Sequence, residues 1–329
     1  MYLRNIEKYP DLADGRCSAI TSWDGHKIRT ATWPALVGTP KGTICLLQGR
    51  AEFIEKYYEV IQDLRKRGFS VATFDWRGQG ASDRLLPDPL KGHVRHFSDY
   101  GKDLDQFLKE IALPDCPPPH FGLAHSMGAL ILLTRLPRLR AVLERTLLST
   151  PLIEIAQQQR VLAGKDLSQS TIKNSAAFLR MIGRGRKFML SVSRSPFDRL
   201  GFETNSLTSD GPRYDRNRQY MKDFPELAIA GPTAQWLHEA CTAMDHLQSS
   251  EFQSTIHTPS LIVTAGNDSI TNPNSAEYFA ATTRAVHSVT IPGSRHEIMM
   301  ERHILREQFW AAFDSFIPGE NRPIRNTPD

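Results

Sequence analysis

The sequence predicts an α/β fold, with a mostly parallel central sheet, helices on both faces and a helical insertion. Three observations predict it. Apolar runs of strand length alternate with amphipathic helical stretches through the first 150 residues. The same alternation resumes after about residue 235, and the stretch between contains helix-like pieces but no clear strand. Strands that alternate with helices in this way imply parallel pairing through right-handed crossovers.

The elements follow in order. Cys17 to Trp33 reads as a hairpin turning at Asp24-Gly25. Thr43 to Leu47 is a buried strand behind Lys41-Gly42. From Phe53 to Arg67 the spacing of Ile54, Tyr57, Ile61 and Leu64 predicts a helix that stops at Gly68. Phe69 to Phe74 is the next strand. Ser98 to Ile111 is a helix with Tyr100, Leu104, Phe107, Leu108 and Ile111 inward and Ser98 or Asp99 as its cap. Strand His120–Ala124, helix Met127–Arg135 and strand Glu144–Ser149 complete the first part. Strand Ser260–Thr264, helix Asn274–Ala281, strand Val286–Ile291 and helix Arg302–Phe316 form the second. This divides the chain into core (1–150), helical lid or cap insertion (151–235), core again (236–318) and a flexible tail (319–329).

Composition narrows the function classes. The 329 residues are 40% hydrophobic and 23% charged, the range of ordinary globular proteins. The four cysteines, Cys17, Cys45, Cys116 and Cys241, form no C-x-x-C pair, which argues against structural zinc, redox motifs and a disulfide framework. Met1 to Lys8 carries no signal-peptide pattern, and no run approaches the roughly 18–20 apolar residues that span a bilayer. The expected location is the cytoplasm, with peripheral contact at the inner face of a membrane as an extension. A net charge of +4 is too small to imply a nucleic-acid partner. That surplus is concentrated: Pro151 to Gln235 holds thirteen Lys and Arg against eight Asp and Glu.

The chemistry centres on Gly122-Leu123-Ala124-His125-Ser126-Met127-Gly128, between a predicted strand and a predicted helix. A sharp strand-to-helix turn of this kind presents a nucleophilic serine and needs small residues two positions to either side. Gly128 satisfies this, while Ala124 stands where glycine is usual. Serine needs a base, and a histidine held by a carboxylate is the common solution. The expected chain order is serine, acid, histidine. Asp268 follows the strand Leu261-Ile262-Val263-Thr264, and His296 follows the strand ending at Ile291; both lie past C-terminal strand ends, where open α/β sheets place their sites. The catalytic candidates are therefore Ser126, Asp268 and His296. The oxyanion-hole candidates are the backbone N–H groups of Met127 and of Arg50, in the loop Leu47-Gln48-Gly49-Arg50-Ala51-Glu52.

These segments, with Tyr57, Asp75-Trp76-Arg77-Gly78-Gln79-Gly80-Ala81-Ser82, Gly92-His93-Val94, Tyr100 and Asp103, resemble the bacterial lysophospholipase and monoacylglycerol lipase branch of the α/β-hydrolases. The likeness covers most of residues 15–150 and 235–316. It implies the α/β-hydrolase fold with the middle insertion as lid, no metal or cofactor, and hydrolysis of fatty acyl esters on a small-molecule lipid substrate. The usual His-Gly of the oxyanion loop is Gln48-Gly49 here, which a backbone donor tolerates. Asp75, Arg77 and Gly78 are read as structural. The segment Phe178 to Leu190 mixes large apolar residues with four cations, which suits contact with an anionic membrane or, alternatively, a solvated face over the core. A peptidase on the same triad, and a non-catalytic binding protein on this fold, are the alternative functions.

Overall fold

The computed structural model describes residues 1–6, 12, 14–162, 165–189, 192, 194–196 and 201–318. Its centre is an eight-stranded sheet. Strands β1 (Arg16–Thr21) and β2 (Lys27–Trp33) form the expected antiparallel hairpin, with Gly25 at φ +90° in the turn. After them come β3 (Thr43–Leu47), helix α1 (Tyr58–Lys66), β4 (Ser70–Phe74), α2 (Ser98–Phe107), a short α3 (Leu113–Asp115), β5 (His120–His125), α4 (Met127–Leu139) and β6 (Thr146–Ser149). The insertion holds a two-residue strand pair, β7 (Val161–Leu162) and β8 (Lys165–Asp166), with helices α5 (Gln169–Met181) and α6 (Gly211–Asp223). Helices α7 (Ala234–Leu247) and α8 (Ser250–Gln253) lead to β9 (Ser260–Ala265), α9 (Pro273–Thr282), β10 (Val286–Ile291) and α10 (His303–Phe316). The strand order is β1-β2-β4-β3-β5-β6-β9-β10; β2 pairs antiparallel with both neighbours and every other pairing is parallel. This is the α/β-hydrolase architecture.

Side chains alternate across the sheet with the period of two that a strand imposes. Cys45, Leu47, Ala72, Phe74, Ala124, Leu148 and Ile262 face one core, filled from α2, α4, α7 and α9 by Phe107, Leu130, Met244 and Phe279. Ile44, Leu46, Val71, Leu123, Leu147 and Val263 face the other, closed by α1 and α10 through Ile61, Leu64, Phe309 and Phe313. Burial on both faces explains why β3, β4, β5 and β6 read as continuous apolar runs.

Several elements depart from expectation. The helix foreseen from Phe53 opens with a 3₁₀ turn, Ile54–Tyr57, before α1. Helix α2 gives way at Leu108–Ala112 to a π turn, so its last inward residues lie on wider backbone. Neither Ser98 nor Asp99 caps α2; the Asp99 carboxylate instead accepts the His96 N–H at 3.2 Å. Helix α4 continues to Leu139 through Pro137. The insertion contains β7 and β8, too short to show in a hydropathy pattern. The tail at 319–329 lies outside the described residues.

Candidate active site

The strand-to-helix turn after β5 forces Ser126 into an unusual backbone conformation, φ 51° and ψ −114°. Such strain persists only where the surroundings over-determine it. Here the Ser126 N–H donates to Ser149 O at 3.0 Å, and Ser126 O accepts the N–H groups of Leu130 and Leu152, both at 3.1 Å. A Cβ at Gly128 would stand 2.4 Å from Gln48 O, so only glycine lets α4 approach the β3 loop this closely. Ala124, with the smallest side chain after glycine, is fully buried there.

The loops after β9 and β10 bring the other two candidates to the serine. Gly266 and Asn267 N–H groups donate to Ile291 O and Ser294 O, tying the two loops together. His296 Nε2 lies 3.0 Å from Ser126 Oγ, and His296 Nδ1 lies 2.8 Å from Asp268 Oδ2. Asp268 also accepts from the N–H groups of Ile270 and Thr271 and from the Thr271 hydroxyl. All three candidates are buried to within a tenth of their surface. Burial alone would raise the Asp268 pKa, but the imidazole and these hydrogen bonds hold it below the usual carboxylate value. Burial likewise pushes the His296 pKa down, and the Asp268 carboxylate more than reverses this, leaving it above the ordinary imidazole value.

That sign makes a prediction. A histidine that accepts the serine proton must first be neutral, and Asp268 favours the charged form. The acid limb of kcat/KM should lie above 6.5, the ordinary histidine pKa, with activity lost as pH falls through the raised value. Asp268→Asn should lower kcat and move that limb down. A pH–rate profile in which the limb stays in place would show that the carboxylate does not set it.

The loop from Leu47 to Glu52 lies against the serine: a Cβ at Gly49 would be 3.2 Å from Ser126 Cβ. The Gly49 N–H is not free, since it donates to Glu52 Oε2. The N–H groups of Arg50 and Met127 have no acceptor among the described residues. The loop is held from beneath by the Asp75–Ser82 segment. Trp76 Nε1 donates to Gln48 O at 2.8 Å, and Gln79 Nε2 to Gly49 O at 2.8 Å. Asp75 itself accepts from Arg29, Ile54 and Ala81, while Arg77 binds Asp103 and Asp24, so both are structural as read from the sequence.

Sequence reading missed the groups behind the histidine. Lys56 Nζ is buried between Glu52 Oε1 at 2.7 Å and Glu297 Oε1 at 2.5 Å, and Tyr57 donates its hydroxyl to Glu52. Against the cost of burial, Lys56 and His125 hold Glu52 down to about 2. Burial pushes His125 down to about 4, so it is neutral, its ring centroid 4.8 Å from that of His296. Thr150, at a strained φ of 44°, donates its hydroxyl to His296 O at 2.9 Å. The Glu52–Lys56 spacing of four residues was the one readable signal for this cluster.

The serine opens on a cavity of about 390 Å³ whose wall includes Leu152, Ile155, Ile172, Trp236, Leu237 and Met244. The insertion covers it. Leu207 O accepts the Glu297 N–H, Thr208 Oγ1 donates to Met300 O at 2.7 Å, and Ser209 binds Glu301, which ties the stretch around Thr208 to the segment that follows His296. Much of the insertion's positive charge is neutralised where it arises: Arg213 and Arg216 bind Glu59, and Lys173 binds Asp245. Arg184, Arg186 and Lys187 are exposed and have no carboxylate partner among the described residues. They adjoin Phe178, Met181 and Ile182, exposed at 56%, 76% and 47%. Leu190, which ends that stretch, lies outside the described residues.

Sheet order, the strained serine turn and the Ser–His–Asp contacts together define an α/β-hydrolase. Within that class, the family model described as "Serine aminopeptidase, S33" matches residues 38–303, and the chain belongs to this family. It is 31% identical over 291 residues to lysophospholipase L2 of Escherichia coli strain K12, covering 86% of this chain and 82% of that one. It is 27% identical to the probable lysophospholipase L2 of Haemophilus influenzae, covering 83% and 82%. A soluble variant of Saccharomyces cerevisiae monoglyceride lipase, solved with a substrate analogue, shares the fold at a TM-score of 0.72 and 19% identity, covering 94% of this chain and 98% of that one. The chain is an ester hydrolase of this lysophospholipase-like branch. Among the described residues no helix is long and apolar enough to cross a membrane.

Proposed function

We propose that this chain hydrolyses carboxylic esters of fatty acyl groups, on lysophospholipids or monoacylglycerols, through an acyl-enzyme on Ser126. The observation that carries the reading is the relay Asp268–His296–Ser126, with contacts of 2.8 and 3.0 Å, opening on a largely aliphatic cavity. Ser126 Oγ attacks the ester carbonyl as His296 Nε2 takes its proton, and Asp268 stabilises the imidazolium. The N–H groups of Arg50 and Met127 receive the oxyanion, aided by the positive end of α4. His296 then gives the proton to the leaving alcohol, and a water activated by the same nitrogen releases the fatty acid. The apolar wall stabilises the acyl chain by about 0.8 kcal/mol per buried methylene.

The family's name points to an aminopeptidase, which would need a free carboxylate to hold a substrate's α-ammonium group. The only acids among the described lining residues, Glu52 and Glu297, are both bound to Lys56, and this favours the ester. Residues 151–235 act as the lid. Their exposed patch of Phe178, Met181 and Ile182 beside Arg184, Arg186 and Lys187 suits peripheral contact with an anionic membrane.

One panel tests these points: lysophospholipids, monoacylglycerols, short esters and aminoacyl amides, with the lipids presented in neutral or anionic vesicles. Fatty acyl esters should be cleaved in preference to amides, and faster from anionic vesicles. Preferential amide cleavage would overturn the ester reading; rates indifferent to vesicle charge would remove the membrane contact.

A further inference from the structure

Four buried cations around the core each have two carboxylates. Arg29 has Asp75 and Glu55, Arg77 has Asp103 and Asp24, Lys56 has Glu52 and Glu297, and Arg306 has Glu59 and Asp63. Arg50 differs. Its side chain lines the cavity beside Ser126 and has no carboxylate partner among the described residues. Nη1 donates to Ala230 O at 2.8 Å, and the guanidinium lies 5.7 Å from the centroid of the Trp236 ring. No protein acceptor among the described residues meets its Nε or Nη2. Burial pushes its pKa down to about 10, which leaves it charged at neutral pH. A guanidinium taken from water without a counter-charge is costly, and its planar fork of five donors matches a phosphate better than a single carbonyl.

We propose that the Arg50 guanidinium binds the phosphate of a lysophospholipid head group and so selects phosphate-bearing acyl esters over neutral ones. The inference rests on the ester-hydrolase reading and adds the substrate class. One residue then serves both ends of the reacting unit. Its backbone N–H faces the carbonyl oxygen, while its side chain reaches the phosphate that a glycerol unit separates from that carbonyl. A cation–π contact with Trp236 restrains the guanidinium, and Ala230 O fixes its direction. A monoacylglycerol of the same chain length fills the same aliphatic wall but leaves the charge unmatched.

The test is the ratio of kcat/KM for an oleoyl lysophosphatidylglycerol to that for monooleoylglycerol. Arg50→Met should lower this ratio by about tenfold to a hundredfold, the range of one or two charge-assisted hydrogen bonds. Arg50→Lys, which keeps the charge without the fork, should lower it less. A ratio unchanged in Arg50→Met overturns the proposal. The unaltered protein supplies an independent measure, with p-nitrophenyl butyrate as a neutral reporter ester. Dodecyl phosphate should inhibit competitively at least tenfold more strongly than dodecanol, and inorganic phosphate should not inhibit at the same concentration. Equal inhibition by dodecanol, or by inorganic phosphate, overturns the head-group assignment. Absence of reporter turnover would instead sink the ester-hydrolase reading itself.

Discussion

Replacing Ser126 with alanine is expected to lower kcat on a short acyl ester by about 10⁴- to 10⁶-fold, with the fold retained. The size follows from the role. On the proposed mechanism no acyl-enzyme forms without Oγ, and only binding and oxyanion contacts remain to assist attack by water. The variant loses a single hydrogen bond, to His296 Nε2, and the backbone strain at φ 51° is the same for alanine as for serine. The melting temperature should therefore stay within a few degrees of the parent. His296→Ala should cost a similar factor, and the double variant should be no slower than either, because the two groups act as one unit. Labelling of the parent by a fluorophosphonate, absent in Ser126→Ala, gives the same answer without a substrate. Turnover near the parental level in the alanine variant would remove Ser126 from the mechanism.

The strand-to-helix turn at Ser126 was legible because it is a local object. A strand, small residues at fixed offsets and a helix follow one another within a dozen positions, and each is determined by backbone sterics. Asp268 and His296 were legible for a related reason: parallel topology delivers every C-terminal strand end to one edge, so position after a strand implies position at the site. The surroundings of His296 were not readable in this way. Lys56 and Glu297 are 241 residues apart, and their pairing depends on how the α1 end and the β10 loop dock, which no local pattern records. Thr150, just past the predicted strand end at Ser149, is a similar case, a β-branched residue at a positive φ that no local pattern marks. The insertion's basic surplus was visible as a count. That Arg213 and Arg216 share Glu59, leaving three exposed cations beside the apolar patch, required the tertiary contacts.

The buried cluster sets up the second large effect. Lys56→Met keeps the length and apolar stem of the side chain but removes the charge between Glu52 and Glu297, leaving two carboxylates in a site with almost no solvent. Removing one partner of such a buried group costs about 3–5 kcal/mol, which for a chain of this size lowers the melting temperature by roughly 10 °C. The sign with pH can be worked out. In the parent, Glu52 is held down to about 2, so its contribution is present at neutral pH and lost only as pH falls through that value. Glu297 already lies above its ordinary value, because burial and the nearby Glu52 outweigh Lys56. Without the ammonium both carboxyls would favour protonation on folding, a penalty that is full at neutral pH and relieved as acid is added. The gap between variant and parent should thus narrow as pH falls from 7 toward 5. The damage should also reach the chemistry. Glu52 binds the Gly49 N–H and Tyr57, and a protonated or displaced Glu52 loosens the loop that presents Arg50 to the oxyanion. A loss in kcat of about a hundredfold, with KM little changed, is the expected kinetic counterpart, since a donor that acts on the developing charge contributes to the transition state and not to binding. A variant that melts within a degree of the parent at pH 7 and keeps its kcat would mean that the ammonium neither neutralises this pair nor holds the oxyanion loop in place.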